Sequence, residues 1–228
     1  MASSEPSQQS SSSPSAFPHG EFLPAGAPHL TQPPLPPTHP TIGYKLNHFM
    51  LRIRDPKPSL DFYINLMGMR SVFVMNVGPF TIYYLGYPQT DEHRSDLTQF
   101  GQDTCAKLQH TLGLLELYHV HGTEGKDEGW YETGNRPPAL GFGHLGFTVP
   151  DVPAALKRLE ENGVKVIKPL GVTTNRSIPI SEWEENKGVG VGEIHPNYKA
   201  VFDNIAFVQD PDGYIVELVP QKLDPLAP

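Results

Sequence analysis

From about residue 44 onward the apolar and polar positions fall into short blocks, and the blocks come in the same order twice. Residues 45–53 (K-L-N-H-F-M-L-R-I) read as a strand that stops at Asp55-Pro56. Residues 58–67 place Leu60, Phe62, Tyr63, Leu66 and Met67 at helical spacing and end at Gly68. Residues 70–77 and 80–85 read as strands joined through Gly78-Pro79. A helix near 103–109 is expected within the polar stretch 88–110, and 111–120 is the next strand. After a Gly-, Glu- and Asp-rich linker the order resumes. Residues 141–149 form a strand ending at Pro150-Asp151, and 152–162 a helix with Ala155, Leu156 and Leu159 inward, stopped by Gly163. Strands follow at 164–170, 200–208 and 214–219. Between the first two of these lies an insert, 171–199, that holds Trp183 and a run of glycines at 188, 190 and 192.

The chain therefore carries an internal repeat of β-α-β-β-β order, and its markers keep step. His48 precedes Gly68 by 20 residues and Glu116 by 68; His144 precedes Gly163 by 19 and Glu217 by 73. The sequences around the two glutamates also match, Leu114-Leu115-Glu116-Leu117 against Ile215-Val216-Glu217-Leu218. The expected fold class is α+β: two tandem βαβββ modules, 43–122 and 139–221, joined by a linker at 123–138. Residues 1–42 hold ten of the 25 prolines and a Ser11-Ser12-Ser13 run, so they read as a disordered Ser/Pro-rich tail. Residues 222–228 read as a short C-terminal tail.

Composition narrows the partners. The net charge of −8 argues against nucleic acid or an anionic membrane surface. No apolar run approaches the ~20 residues of a membrane span. The single cysteine, Cys105, can form no internal disulfide, and no Lys or Arg occurs before Lys45, which argues against a presequence. A cytoplasmic protein is the expectation.

Each module opens with a histidine in its first strand and closes with a glutamate in its last. A carboxylate inside an apolar strand is costly to bury without a partner. If the modules pair by pseudo-symmetry, His48, Glu116, His144 and Glu217 converge, and a divalent metal with N and O ligands explains why two carboxylates sit there. Strand alternation puts Arg52 on the face of His48, aimed at an anionic substrate group or paired at the rim with Asp55. The same alternation puts His119 and His121 on the face opposite Glu116, so that H-x-H pair reads as structural or surface.

Four stretches carry a family resemblance: N-H-F-M-L-R-I-R-D-P-K-P-S-L-D-F-Y at 47–63, L-L-E-L-Y-H-V-H-G-T-E at 114–124, G-F-G-H-L-G-F-T-V-P-D-V at 141–152 and A-F-V-Q-D-P-D-G-Y-I-V-E-L at 206–218. The chain resembles glyoxalase I (lactoylglutathione lyase) of the vicinal oxygen chelate superfamily. The resemblance implies that His48, Glu116, His144 and Glu217 bind one divalent metal, Zn2+ or Ni2+. It implies a homodimer whose active sites are built from modules of both subunits. It implies that the substrate is the hemithioacetal of glutathione and methylglyoxal, which becomes S-lactoylglutathione through an enediolate, Glu217 and Glu116 being the catalytic carboxylates and Arg52 the substrate-binding cation.

Three departures from the family pattern bear on the thiol. Val120 stands where the family has Asn, Leu140 where it has Arg, and Val201-Phe202-Asp203-Asn204 replaces a Lys-rich approach. Arg176, Lys187 or Lys199 of the insert are candidate substitutes. The second reading is therefore a related metal-dependent isomerase or lyase acting on another dicarbonyl or enolisable compound, without glutathione. Binding proteins of the bleomycin-resistance type are a third reading, against which the intact ligand set speaks.

Overall fold

The structure, a computed structural model, describes residues 34–177 and 180–222. Asp55 and Asp151 occupy the same place in the two modules. Each follows a first strand and caps the next helix through its side chain, accepting from Lys57 N and Ala154 N respectively. Each is followed at once by a proline-containing first turn, where a missing N–H costs nothing. The repeat seen in the sequence is thus a repeat of structure.

In the first module β1 (His48–Ile53) leads into α1 (Pro56–Leu60), which widens at Asp61–Leu66 into a turn closed by Met67 N donating to Phe62 O. Strands β2 (Arg70–Asn76) and β3 (Phe80–Gly86) follow, then helices α2 (Asp91–Ser95) and α3 (Leu97–Ala106), then β4 (Leu114–Val120). A two-stranded ribbon, β5 (Asn135–Arg136) and β6 (Ala139–Leu140), lies within the linker. The second module has β7 (Leu145–Val149), α4 (Val152–Glu161), β8 (Val166–Lys168), α5 (Glu182–Glu185), α6 (Pro196–Phe202), β9 (Ala206–Gln209) and β10 (Ile215–Pro220). The sheets are ordered β1-β4-β3-β2 and β7-β10-β9-β8, the first and last strands of each module being parallel neighbours. This is the expected α+β architecture of two βαβββ modules.

Several expected boundaries shift. The helix expected at 103–109 is α3, which begins at Leu97. Asp96 caps it by accepting from Thr98 N and Gln99 N, and it buries Phe100 and Thr104 one turn apart, a stripe too narrow to stand out in a polar stretch. Residues 200–202, expected in a strand, close α6, because Pro196 at its first turn starts a helix inside the insert. The strand expected at 141–149 begins only at Leu145, since the Gly141–Gly143 stretch is taken up by the β5–β6 ribbon. The tail read as 1–42 lies mostly outside the described residues, as does 223–228. Its described part, 34–42, makes local turns such as Ile42 N to His39 O.

One apolar core runs through both modules, joining Leu51, Ile53, Phe62, Tyr63 and Leu117 to Leu145, Leu156, Leu159, Val216 and Leu218. The Asp210–Gly213 turn before β10 fastens it. Asp212 accepts from Arg54 N at 2.8 Å and from Ser59 Oγ at 2.7 Å, while Asp210 accepts from Tyr63 Oη at 2.8 Å and from its own turn's Tyr214 N. Burial pushes the Asp210 carboxyl up to about 7. No helix among the described residues is long and apolar enough to cross a membrane.

Candidate metal centre

On β4 the odd-numbered side chains Leu115, Leu117 and His119 go to the core, leaving Leu114, Glu116, Tyr118 and Val120 on the other face. Register then decides what meets them. Met50 of β1 and Tyr84 of β3 flank Glu116, and Arg52 and Ile82 flank Tyr118. His48, at the start of β1, reaches across so that its Nε2 lies 3.3 Å from Glu116 Oε2. In the second module Gly146 of β7 and Phe207 of β9 flank Glu217, and His144 Nε2 lies 3.2 Å from Glu217 Oε2. The two pairs are copies of one arrangement: parallel first and last strands, and a histidine two residues before the one beside the glutamate.

The outer partner of His48 fixes which nitrogen faces the carboxylate. Asn47 donates both amide hydrogens, to Leu108 O at 2.7 Å and Thr111 O at 2.6 Å, so its Oδ1 is the acceptor that meets His48 Nδ1 at 2.8 Å. His48 Nδ1 therefore carries the hydrogen. In neutral imidazole this leaves the lone pair on Nε2, directed at a carboxylate oxygen. Two acceptors facing each other at that distance are held well by a cation between them. Ligands bonded to one ion at about 2.1 Å stand about 3.0–3.4 Å apart across tetrahedral to octahedral angles, and the separations of 3.3 and 3.2 Å match. The donor set thus fits a divalent metal. The glutamates are shielded, 12% and 13% exposed, whereas the histidines are 38% and 33% exposed, so each pair is open on its imidazole side. Interaction with the Glu217 carboxylate raises the pKa of His144, against a downward pull from partial burial.

Within one chain the pairs remain separate. Among the described residues no group of three His, Cys, Asp or Glu side chains comes together, so the convergence of all four by pairing of the modules does not occur inside a single subunit. The reason is the packing just described: the modules of one chain meet through their shared core and the Asp210–Gly213 turn, not through the faces that carry His48 and His144. The face around His48 is uncovered and apolar, with Met50 45% and Met75 46% exposed.

Arg52 lies on the His48 face, its guanidinium 5.2 Å from the centre of the Tyr118 ring, and makes no ion pair among the described residues. The rim pairing with Asp55 is not formed; Asp55 caps α1 instead. His119 is buried on the core face with Nε2 2.9 Å from Glu124 Oε1, off the axis of a hydrogen bond, and His121 meets Thr81 Oγ1 at 2.8 Å. Neither faces Glu116. Two of the insert cations have partners of their own: Arg176 lies 3.5 Å from Glu182 and 3.7 Å from Glu185, and Lys187 covers the Trp183 ring at 4.6 Å. Arg176 nevertheless lines a cavity of about 480 Å³ beside His144, whose walls include Leu140, Phe142, Ile180 and Phe207.

Three residues with a part in the site carried no signal of their own in the sequence. Tyr84 donates to Glu116 Oε2 at 2.9 Å, and burial together with Glu116 pushes its hydroxyl up to about 12, which keeps it a donor. Gly146 is the second: a Cβ there would stand 3.2 Å from Glu217 Oε2. The third is Asn135, whose Nδ2 donates to Gly143 O at 2.7 Å and so anchors the stretch that ends in His144. Their signal lies in pairing register, visible only once the neighbouring strands are known.

Residues 45–218 match the family model described as the Glyoxalase/Bleomycin resistance protein/Dioxygenase superfamily. The chain is 35% identical over 189 residues to a lactoylglutathione lyase of Pseudomonas aeruginosa, covering 81% of this chain and 86% of that protein. It is 32% identical to a lactoylglutathione lyase of Pseudomonas putida, covering 78% and 86% respectively. It also shares 32% identity with a protein named glyoxalase I from Saccharomyces cerevisiae, of which it spans 45%. Among solved structures, glyoxalase I from Zea mays overlaps 79% of this chain and 45% of its own, with 22% identity and a TM-score of 0.47. The chain belongs to the glyoxalase/bleomycin resistance protein/dioxygenase superfamily, and within it to the lactoylglutathione lyase (glyoxalase I) family.

Proposed function

We propose that this protein is a metal-dependent glyoxalase I, which isomerises the hemithioacetal of glutathione and methylglyoxal to S-lactoylglutathione. The observation that carries the reading is the pair of like His–Glu couples, each with donor atoms spaced for a common ion and each complete on only one side. Two copies of the chain, laid with the His48 face of one against the His144 face of the other, would bring four donors together twice. The uncovered apolar face around Met50 and Met75 supports such a homodimer. The names of the Pseudomonas and yeast relatives support the reaction.

In this reading His48, Glu116, His144 and Glu217 hold one divalent ion, Zn2+ or Ni2+, which when bound supplies Lewis-acid stabilisation to the substrate's oxygens. Glu217 takes the proton from the carbon bearing sulfur, leaving an enediolate, and returns it to the adjacent carbon that was the ketone. No oxidant enters: one carbon is oxidised as its neighbour is reduced. Arg52, with its guanidinium unpaired, takes a carboxylate of the thiol. The single Cys105 fits a reducing cytoplasm.

A second reading, a relative acting on another dicarbonyl without glutathione, draws support from Leu140 in the cavity wall and from the ion pairs that engage Arg176. One assay separates them. Protein loaded with zinc, nickel or cobalt is given methylglyoxal and glutathione, and thioester absorbance is followed in the ultraviolet. Glyoxalase I predicts a rise that Glu217→Gln reduces by at least about 100-fold. No rise with any of the three metals, or full activity in Glu217→Gln, would refute it; turnover of a dicarbonyl that does not require glutathione would establish the second reading.

A further inference from the structure

The two carboxylates of the site are not equivalent, and the difference lies in one hydroxyl group. Tyr84 and Phe207 hold matching positions, each directly across from its module's glutamate. Their rings also stand alike against the histidines, with centroids 5.4 Å apart and planes at 60° in both modules. Tyr84 carries the Oη that donates to Glu116 Oε2 at 2.9 Å, and Phe73 stacks on its ring at 4.5 Å and 16° to hold it there. Phe207 offers Glu217 nothing to bond. On the other flank Met50 lies beside Glu116, whereas Gly146, which has no side chain, lets Glu217 Oε2 lie 3.2 Å from where a Cβ would stand.

We infer that Tyr84 is a positioning residue that fixes Glu116 as a permanent ligand, so that Glu217 alone moves the proton and the enzyme acts directly on one of the two hemithioacetal diastereomers. This rests on the glyoxalase reading above. A carboxylate oxygen has room for one ligand bond and one accepted hydrogen bond, so the Tyr84 bond is compatible with Glu116 holding an ion through the same oxygen. What the bond opposes is departure. A base must leave its ligand position and approach the substrate carbon, and Glu116 must break a charge-assisted hydrogen bond to do so, whereas Glu217 need not. The diastereomers differ in which face of the reacting carbon bears the hydrogen, so a base confined to one side takes it from one diastereomer only.

The test uses full-length Tyr84→Phe, which copies Phe207, and the mirror variant Phe207→Tyr. Cobalt affinity is measured by visible absorption, without turnover. Removing this outer partner of a ligand is expected to weaken it about tenfold in Tyr84→Phe. Separately, excess enzyme is mixed with the equilibrium mixture of the two hemithioacetal diastereomers. The parent is expected to convert about half in a fast phase and the rest at the uncatalysed rate of diastereomer exchange, while Tyr84→Phe converts clearly more than half in the fast phase. Phe207→Tyr, which ties Glu217 down, is expected to lose about tenfold in kcat with little change in KM. Cobalt affinity in Tyr84→Phe within twofold of the parent, or an unchanged fast fraction in active enzyme, would overturn the inference. If neither protein turns over the hemithioacetal, the glyoxalase reading has failed and the cobalt measurement still decides whether Tyr84 holds Glu116.

Discussion

Asn47 commits both amide hydrogens to the carbonyls of Leu108 and Thr111, so its oxygen can only accept, and that decides which nitrogen of His48 faces Glu116. A single amide thus sets the tautomer of a ligand. His48→Ala and His144→Ala are each expected to cost at least about 100-fold in metal affinity, the upper range for losing an outer partner alone; calorimetric titration with zinc measures it. Near-parental affinity in either variant would remove that histidine from the ligand set. The two His–Glu pairs themselves could be read from the sequence, because a His and a Glu inside apolar strands recurred at near-equal spacing in two modules. Tyr84, Gly146 and Asn135 could not, because their contribution depends on which residue of a neighbouring strand lies opposite, and hydrophobic pattern alone does not give register.

The element that joins the modules is the Asp210–Gly213 turn, whose carboxylates receive donors from Arg54 just after β1, Ser59 of α1, Tyr63 of the wider turn that follows it, and the Asp210–Gly213 turn itself. Truncating Asp212 leaves Arg54 N without its acceptor and removes the carboxylate 3.6 Å from the Arg54 guanidinium, while Ser59 Oγ keeps the Asp55 carbonyl. Asp212→Ala is expected to destabilise the fold by about 2–4 kcal/mol, read from denaturant titration. Asp210 gives a pH effect of known sign. Its folded pKa, about 7, lies above the ordinary value of 3.8 because of burial. The protonated form is therefore favoured in the folded state, and the stability it contributes is full below about pH 4 and lost as pH rises through about 7. Asp210→Asn, whose amide can still accept from Asp212 N and Tyr214 N, is expected to flatten the fall in melting temperature between about pH 4 and 7; an equal fall in both proteins would contradict this. In the sequence D-P-D-G was legible as a turn, but its partners Tyr63 and Ser59, about 150 residues away, were not. Likewise α6 was hidden, because residues 200–202 are apolar enough to read as the start of β9 while Pro196 upstream sets a helix.

For the molecule as a whole, the repeat made the two-module architecture legible, since spacing between strands, helices and stop glycines survives where residue identity does not. What the repeat could not convey is which faces meet within one chain. The shared core and the Asp210–Gly213 turn bring the modules together away from the His–Glu pairs, and so each chain holds the two pairs apart. In the proposed reading each pair is half of a site, and a dimer completes them. The most direct measurement coexpresses two inactive chains, one carrying His48→Ala with Glu116→Ala and the other His144→Ala with Glu217→Ala, and follows thioester formation by the purified mixed dimer with metal present. Sites shared between subunits predict that activity returns, from the one intact site that unmutated halves of the two chains form together. A mixed dimer as inactive as either parent would show that the four residues do not complete one another across two chains.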